Sequence, residues 1–264
     1  MLRQRVITAL ALGIVALAAV FFLPHDAMMG LLTLLVLAGA WEWSAFPGFT
    51  HYSARLGYVA LIAVGVAVIW ALSHSGADLD AVLYTAVIWW LVALAWIVLF
   101  PGTVSGASAG VAGLFVLVPA WLALVRLHEQ EPGLFLFLLL LVVAADIGAY
   151  FAGRQFGRNK LAPRVSPGKT WEGVLGGVAG AAIVAAVGVT LFEVPIGPFI
   201  GLSLVTVLAS VVGDLTESLF KRHAGVKDSG SLLPGHGGVL DRVDSVTAAA
   251  PIFLVGLERL GLFR

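Results

Sequence analysis

The sequence predicts an all-α protein, a polytopic bundle of about nine transmembrane helices with the N-terminus in the cytoplasm. Of the 264 residues, 60% are hydrophobic and only 11% are Asp, Glu, Lys or Arg, whereas charged residues make up about 25% of an average soluble domain. Several apolar runs approach the length, about 20 residues, at which a helix crosses a bilayer. This composition excludes a water-soluble globule.

The charge balance and the absence of cysteine exclude other classes of protein. The chain carries 15 basic and 15 acidic residues and no cysteine. A net charge of zero argues against a protein that binds nucleic acid through its overall charge. Without cysteine, the chain can form neither a disulfide nor a thiolate metal site, so oxygen or imidazole ligands would have to hold any metal ion.

Nine hydrophobic segments, separated by polar or proline-containing links, form the predicted bundle. The first segment follows Arg3 and Arg5. It is longer than the roughly 7–15 residues of a signal-peptide core, so we interpret it as a retained span. The nine segments are Val6–Leu23, Ala27–Phe46, Gly57–Leu72, Ala81–Phe100, Ser108–Leu127, Gly133–Ala152, Gly173–Phe192, Ile196–Gly213 and Val246–Leu260.

The distribution of lysine and arginine indicates the orientation. With the N-terminus in the cytoplasm, twelve basic side chains fall on the cytoplasmic side and three, those of Arg126, Arg259 and Arg264, on the far side. This bias is typical of membrane proteins. The same topology places several carboxylates at the cytoplasmic ends of their spans: Glu42, Asp146, Glu172, Asp214, Glu217 and Asp244. Because carboxylates at membrane depth are costly and usually functional, we expect one shared polar site at the cytoplasmic face.

The two halves of the chain differ in chemistry. Residues 1–132 are rich in Leu, Val, Ala and Gly, which suits close helix packing in lipid, and we expect them to form a scaffold of about five spans. Residues 133–264 hold most of the polar motifs. We expect this half to be the catalytic region, with cytoplasmic loops at 153–171 and 214–244.

The last long polar stretch carries most of the candidate chemistry. Asp214 and Glu217 are three residues apart, and Asp241 and Asp244 repeat the spacing, which places each pair on one helix face. Between the pairs lies the glycine-rich segment Pro234-Gly-His-Gly-Gly238, whose backbone N–H groups can approach an anion closely. Carboxylates beside cations at a membrane surface suit Mg²⁺ bridging a polyphosphate. For any single charge, a solvated loop with local ion pairs is an equal alternative, but it does not explain acidic and basic residues interleaved with glycines.

This stretch resembles a known family signature. The segment Ser218-x-x-Lys-Arg-x4-Lys-Asp-x-Gly-x-x-Leu-Pro-Gly-His-Gly-Gly-x-x-Asp-Arg-x-Asp244 is similar to the signature of phosphatidate cytidylyltransferases, also called CDP-diacylglycerol synthases. A second segment, which begins at Asp146 and ends with the run Ser166-Pro-Gly-Lys-Thr-Trp-Glu-Gly173, also resembles the bacterial members. Glu42-Trp43 is a weaker match.

The resemblance implies a reaction and its requirements. CMP would pass from CTP to phosphatidate, giving CDP-diacylglycerol and pyrophosphate, with Mg²⁺ required. It also implies a helical membrane fold and a homodimer, with CTP, phosphatidate and membrane lipid as partners and no nucleic acid. The short loops are typical of a bacterial protein, which would place the chain in the inner membrane with its active site facing the cytoplasm.

Within this hypothesis, most of the candidate residues have roles in charge neutralisation. We expect Mg²⁺ to be held by Asp214, Asp241 and Asp244, with Asp146 as a further candidate and a second cation left open. Basic side chains would neutralise the triphosphate and the lipid phosphate: Lys169, Lys221, Arg222, Lys227 and Arg242. The glycine-rich turn would supply N–H donors, with an imidazole near the phosphate: Gly235, His236, Gly237 and Gly238. Other candidates for the site are Ser166, Thr170, Ser218 and Asp228.

The run Ser166-Pro-Gly-Lys-Thr170 ends like a P-loop but is not one. Pro163 stands where a P-loop needs glycine. We expect a Pro-Gly turn that presents Lys169 and Thr170 at a helix N-terminus, where phosphate binds readily. The other basic residues of this link have an alternative role as topology signals: Arg154, Arg158, Lys160 and Arg164. Asp146 has an alternative role as a hydrogen-bond partner between helices.

Two other functions stay open. One is a CTP-dependent enzyme that acts on a polyprenol or another lipid phosphate, which the long signature disfavours. The other is a transporter, which would distribute polar groups through the depth of the membrane. Here the carboxylates collect on one side.

Overall fold

The described part of the chain forms a bundle of eight helices with one small hairpin, preceded by a helical stretch at 17–22. The computed structural model describes residue 13, residues 17–230, residue 232 and residues 237–263. The helices are α1 (His25–Trp43), α2 (Tyr52–His74), α3 (Asp80–Leu99), α4 (Gly106–Gln130), α5 (Pro132–Phe156), α6 (Trp171–Phe192), α7 (Ile196–His223) and α8 (Leu240–Arg259). The strands β1 (Lys160–Ala162) and β2 (Ser166–Thr170) lie between α5 and α6.

Hydropathy located the helices well. Eight of the nine predicted segments coincide with α1–α8, and most of the ninth, Val6–Leu23, lies outside the described residues. Seven helices, α1 to α7, are long and apolar enough to cross a membrane. A polytopic helical membrane protein is therefore confirmed, whereas the count of nine spans and the cytoplasmic N-terminus stay predictions.

Helix α8 explains one of the two spans by which the counts differ. It is missing from the seven candidate spans in the described part of the chain, yet it packs against α1, α3, α4, α5 and α7. Its inner residues Ala248, Phe253 and Leu257 have no exposed surface. A helix shielded from lipid by its neighbours has no need of a fully apolar surface, so its sequence can carry the polar residues of its first turn.

The link at 153–171 is not the loop that the sequence predicted. Helix α5 continues to Phe156, and β1 and β2 then form an antiparallel pair in which Lys160 faces Thr170 and Ala162 faces Ser166. The all-α prediction is wrong in this detail. Strands of three and five residues are too short for the alternation that identifies a strand in sequence.

Glycines bring α5 and α6 into close contact, which fixes the hairpin between them. A Cβ atom on Gly148 of α5 would collide with the carbonyl oxygen of Gly176, and one on Gly180 of α6 would lie 2.7 Å from the carbonyl oxygen of Ala144. Small residues let transmembrane helices approach this closely. The hairpin is therefore held by a tightly packed helix pair.

The alternating direction of the helices gives the bundle two distinct ends. At the end away from the hairpin, Arg126 forms ion pairs of 3.7 Å with both Asp80 and Glu258, and Arg259 pairs with Asp80 at 3.1 Å. These contacts join the ends of α3, α4 and α8. At the other end lie the C-termini of α1, α5 and α7, the N-termini of α6 and α8, and the hairpin.

Candidate active site

A cavity of about 500 Å³ opens between α5, α6, α7 and the hairpin. Polar and apolar groups both line it. The polar and charged side chains are those of Asp146, Tyr150, Arg154, Lys169, Thr170, Ser210, Asp214 and Ser245. The apolar side chains and glycines include Ala145, Val174, Gly177, Val207 and Val211. This volume lies within the range of about 300–1,000 Å³ that is usual for small-molecule sites.

The hairpin places Lys169 in this cavity. Lys169 is the penultimate residue of β2, and its ammonium group forms an ion pair with the carboxylate of Asp214 on α7. The two side chains are 26% and 30% exposed, so both remain accessible to a ligand. The sequence predicted a Pro-Gly turn at this point, which is wrong because Pro167 and Gly168 lie within the strand.

Thr170 joins the strand to α6. It is the N-cap of that helix, and its Oγ1 accepts a hydrogen bond of 3.1 Å from the N–H of Gly173. The prediction that Lys169 and Thr170 stand at a helix N-terminus is confirmed. The positive end of the α6 dipole and the Lys169 ammonium group therefore lie at the same part of the cavity wall.

A second group of carboxylates lies deeper, between α7 and α8. Glu217 is 2% exposed, and neither of its carboxylate oxygens has a hydrogen-bond partner among the described residues. Lys221 Nζ lies 3.4 Å from Glu217 Oε1, and Glu217 and Asp244 line the same small internal cavity. An ionised side chain is costly to bury without an opposite charge, and Lys221 is shared with a further carboxylate, that of Asp241.

Asp241 is directed towards the polar segment that precedes α8. Its Oδ1 accepts a hydrogen bond of 2.8 Å from Lys221 Nζ, and its Oδ2 accepts one of 2.8 Å from the N–H of Gly238. The backbone N–H of Ser229 donates to both oxygens, at 3.2 and 3.1 Å. Asp241 therefore holds Ser229 and Gly238, near the two ends of the segment at 229–240, and does not line the Lys169 cavity.

The four predicted metal ligands do not form a single cluster. Asp146 and Asp214 line the larger cavity, Asp244 lies with Glu217 in the interior, and Asp241 faces the 229–240 segment. Within the described ranges, no three His, Asp or Glu side chains are grouped as a metal site. Mg²⁺ commonly takes only one or two carboxylates and completes its coordination with phosphate and water, so a site of two carboxylates is compatible with it.

Glu42 provides a contact that the sequence did not reveal. It is 2% exposed near the C-terminus of α1. Its carboxylate accepts hydrogen bonds from the N–H groups of Val239 and Leu240 and from the hydroxyl of Ser229. A buried acid inside an apolar run was the available signal, but nothing in the sequence identifies partners nearly 200 residues away.

The remaining predicted residues have varied positions. The predicted loop at 214–244 is wrong at its start, because α7 continues to His223 and therefore carries Ser218, Lys221 and Arg222. Ser218 Oγ lies 3.4 Å from Asp214 Oδ1, and Arg222 Nε donates a hydrogen bond of 3.3 Å to the Val165 carbonyl oxygen in the hairpin turn.

The other predicted site residues lie after α7 or in the hairpin. Lys227 and Asp228 are exposed, and Arg242 lines a separate, mostly apolar cavity between α1, α4, α5 and α8. Gly237 has a φ of 82°, a conformation that favours glycine. Ser166 pairs with Ala162 in the hairpin. Gly235 and His236 lie outside the described residues.

Comparison with known proteins identifies the family. The model of the cytidylyltransferase family matches residues 3–259, nearly the whole chain. The chain belongs to this family. It is 47% identical to a phosphatidate cytidylyltransferase from Pseudomonas aeruginosa over 99% of this chain and 98% of the relative. A phosphatidate cytidylyltransferase from Haemophilus influenzae is 42% identical, over 96% of this chain and 97% of its own length.

Family membership makes the chain a nucleotidyltransferase. The suspected resemblance is thereby confirmed, and it extends well beyond the two segments that suggested it. A third relative, the phosphatidate cytidylyltransferase from Brucella suis, is 40% identical over 97% of this chain and 93% of its own length. The scaffold half therefore belongs to the family as fully as the half that contains the motifs.

Proposed function

We propose that the chain is a phosphatidate cytidylyltransferase of the bacterial inner membrane, which forms CDP-diacylglycerol for phospholipid synthesis. The relatives carry this name at up to 47% identity over almost their full length. The structural observation that carries the proposal is a cavity lined by both charged and apolar side chains, with the Lys169–Asp214 ion pair among the charged ones.

The mixed lining suits the two parts of a lipid phosphate. Phosphatidate joins an anionic headgroup to two acyl chains, so it needs cationic groups and apolar surface within one site. Lys169 and Arg154 supply the positive charge, and Val174, Val207 and Val211 supply the apolar surface. A soluble phosphate ester would not need that apolar surface.

The proposed reaction asks little covalent chemistry of the protein. An oxygen of the phosphatidate phosphate attacks the α-phosphorus of CTP, the bond from that phosphorus to the bridging oxygen breaks, and pyrophosphate leaves. Catalysis of phosphoryl transfer depends on positioning and on charge neutralisation. Lys169 would exchange its Asp214 partner in part for phosphate oxygens, and the N–H groups at the start of α6 would add further donors.

The carboxylates present fit a divalent cation. Asp214 and Asp146 line the substrate cavity, and the two deeper acids, Glu217 and Asp244, have a single lysine beside them. We propose that Asp214 and Asp146 hold Mg²⁺, which would neutralise phosphate oxygens, and that a second cation would suit the deeper pair, Asp244 and Glu217. Asp241 is a weaker candidate because the segment at 229–240 already occupies its oxygens.

The position of the site supports a cytoplasmic active site. All the groups just named lie at the end of the bundle that the distribution of lysine and arginine assigns to the cytoplasm. CTP is a cytosolic nucleotide, and a lipid phosphate presents its headgroup at the same depth. The homodimer that the family resemblance implies stays a prediction.

The test is a direct assay. Purified protein in detergent receives phosphatidate, CTP labelled in the α-phosphate and Mg²⁺, and we expect the label to enter the lipid phase with release of pyrophosphate. A parallel reaction replaces phosphatidate with a polyprenyl phosphate, and another omits the metal. Transfer to the polyprenyl phosphate alone, or no transfer to any lipid, would contradict the proposal.

A further inference from the structure

Glu42 is an acidic side chain buried where no cation pairs with it. It has 2% of its surface exposed, and no ion pair involves it among the residues that the structure describes. Its compensation comes instead from three hydrogen-bond donors. The Val239 N–H lies 3.0 Å from Oε1, the Leu240 N–H lies 2.9 Å from Oε2, and the Ser229 hydroxyl lies 3.1 Å from Oε2.

Two of these donors form the N-terminus of α8. That helix begins at Leu240 with Val239 as its N-cap, and no side chain within the cap itself accepts a hydrogen bond there. The first N–H groups of a helix have no partner inside it, and the helix dipole favours a negative charge beside them. Glu42 therefore caps a helix that follows it by almost 200 residues.

The backbone on both sides of Glu42 is fitted to its carboxylate. A Cβ atom on Gly230 would lie 2.7 Å from Glu42 Cδ, and one on Gly238 would lie at the same distance from that atom. Any larger residue would push the chain away from the carboxylate. These two glycines belong to the segment that matches the family signature, so the close approach gives a physical reason for glycine at both positions.

The segment at 229–240 is clamped between two acids on different helices. Ser229 donates its hydroxyl to Glu42 and its N–H to Asp241. The two acids also share the backbone N–H groups around the start of α8: the N–H of Gly238 donates to Asp241, and that of Leu240 donates to Glu42. Both ends of the segment are thereby fixed, on either side of the Pro-Gly-His-Gly run in the sequence.

We propose that Glu42 is a positioning residue, which from the opposite half of the chain fixes Ser229 and the N-terminus of α8, the two anchored ends of the signature segment at 229–240. It is not a ligand of the substrate or of a metal, because three donors occupy its oxygens and it does not line the Lys169 cavity. This inference rests on the proposed function in one respect: the segment matters to turnover because it supplies groups for the CTP phosphates.

The test separates positioning from catalysis by measuring amide hydrogen exchange and kinetics on the same variants. Glu42→Gln keeps the shape but replaces one acceptor oxygen by a donor group. We expect the amides of Val239 and Leu240 to exchange about tenfold faster, since a charged buried acceptor is lost. We expect kcat/KM for CTP to fall about tenfold or more, with no change in the Mg²⁺ concentration that gives half-maximal activity.

Matched variants keep the test decisive. Glu131 also accepts a hydrogen bond from a helix N-terminus, that of α5, but at the far end of the bundle, so Glu131→Gln should leave exchange at 229–240 and the kinetics unchanged. If Glu42→Gln fails to fold, Ser229→Ala removes one donor only and should still speed exchange in the segment about threefold.

Two results would overturn the inference. Unchanged exchange in the segment of Glu42→Gln or Ser229→Ala would show that Glu42 does not hold it. Activity of Glu42→Gln that returns at high Mg²⁺ would make Glu42 a metal ligand. The exchange measurement needs no turnover, so the proposed reaction can fail in the direct assay while the role of Glu42 in holding the segment is upheld.

Discussion

Replacement of Lys169 by alanine should damage catalysis far more than stability. Its ion pair with Asp214 is partly exposed on both sides, and such pairs contribute about 0–1 kcal/mol to the free energy of unfolding. By contrast, removal of one group that stabilises the charge of a transition state costs about 10²–10³ in rate, or about 2.7–4 kcal/mol. The expected loss of transition-state stabilisation is therefore larger than the expected loss of folding stability.

The assay follows transfer of labelled CMP to phosphatidate over a range of CTP concentrations. We expect kcat/KM for CTP to fall by about 10²–10³ in Lys169→Ala. Thermal unfolding in detergent should change little. Lys160→Ala is the matched control, because Lys160 lies on the same hairpin opposite Thr170 and is exposed, and it should retain nearly full activity.

A double substitution tests whether the pair acts as a unit. Because Lys169 and Asp214 contact each other, the loss in Lys169→Ala combined with Asp214→Asn should be smaller than the product of the two separate losses. Equal activity of Lys169→Ala and Lys160→Ala would contradict a role of Lys169 in the site. In that case both lysines would be topology signals in the link between α5 and α6.

Three further substitutions test the surroundings of the site. Asp241→Asn should reduce turnover at least 100-fold with normal insertion into the membrane, because it weakens the charge-assisted hydrogen bonds that Asp241 accepts. Near-normal product formation would show that the enzyme does not need this carboxylate. Lys221→Met should lower the free energy of unfolding by about 3–5 kcal/mol, because it leaves buried carboxylates unpaired, and chemical denaturation in detergent measures this. Gly180→Ala should lower the free energy of unfolding by about 1–3 kcal/mol, because its methyl group would collide with Ala144. Gly201→Ala, which has open space around it, should leave stability unchanged. Equal melting temperatures for the two variants would contradict the close packing of α5 on α6.

The helices could be predicted from the sequence because bilayer thickness constrains them directly. A run such as Ala81–Phe100 has one physical explanation, and α3 occupies Asp80–Leu99. Helix ends were harder to place. Helix α7 continues to His223 because helical hydrogen bonding does not stop where the apolar run ends, and charged residues such as Lys221 and Arg222 are good helix formers.

The candidate site could be predicted in its composition but not in its contacts. Clustering of Asp146, Lys169 and Asp214 follows from their positions at the ends of neighbouring spans, and the structure places all three on one cavity. The different contacts of Asp214 and Asp241 could not be predicted, because those of Asp241 depend on where Ser229 and Gly238 lie. Sequence spacing gave both carboxylates the same role, whereas only one of them is directed towards the cavity.

The placement of α8 at the centre of the bundle has a consequence for biogenesis. Helix α8 carries carboxylates near its start and is too polar to partition into lipid by itself. It can therefore insert only when the surrounding helices already form a groove for it. Since Asp241 and Asp244 belong to that helix, a nascent chain that has inserted α1 to α7 still lacks two of the acids of the candidate site. We therefore expect α8 to dock before the protein can begin to consume nucleotide.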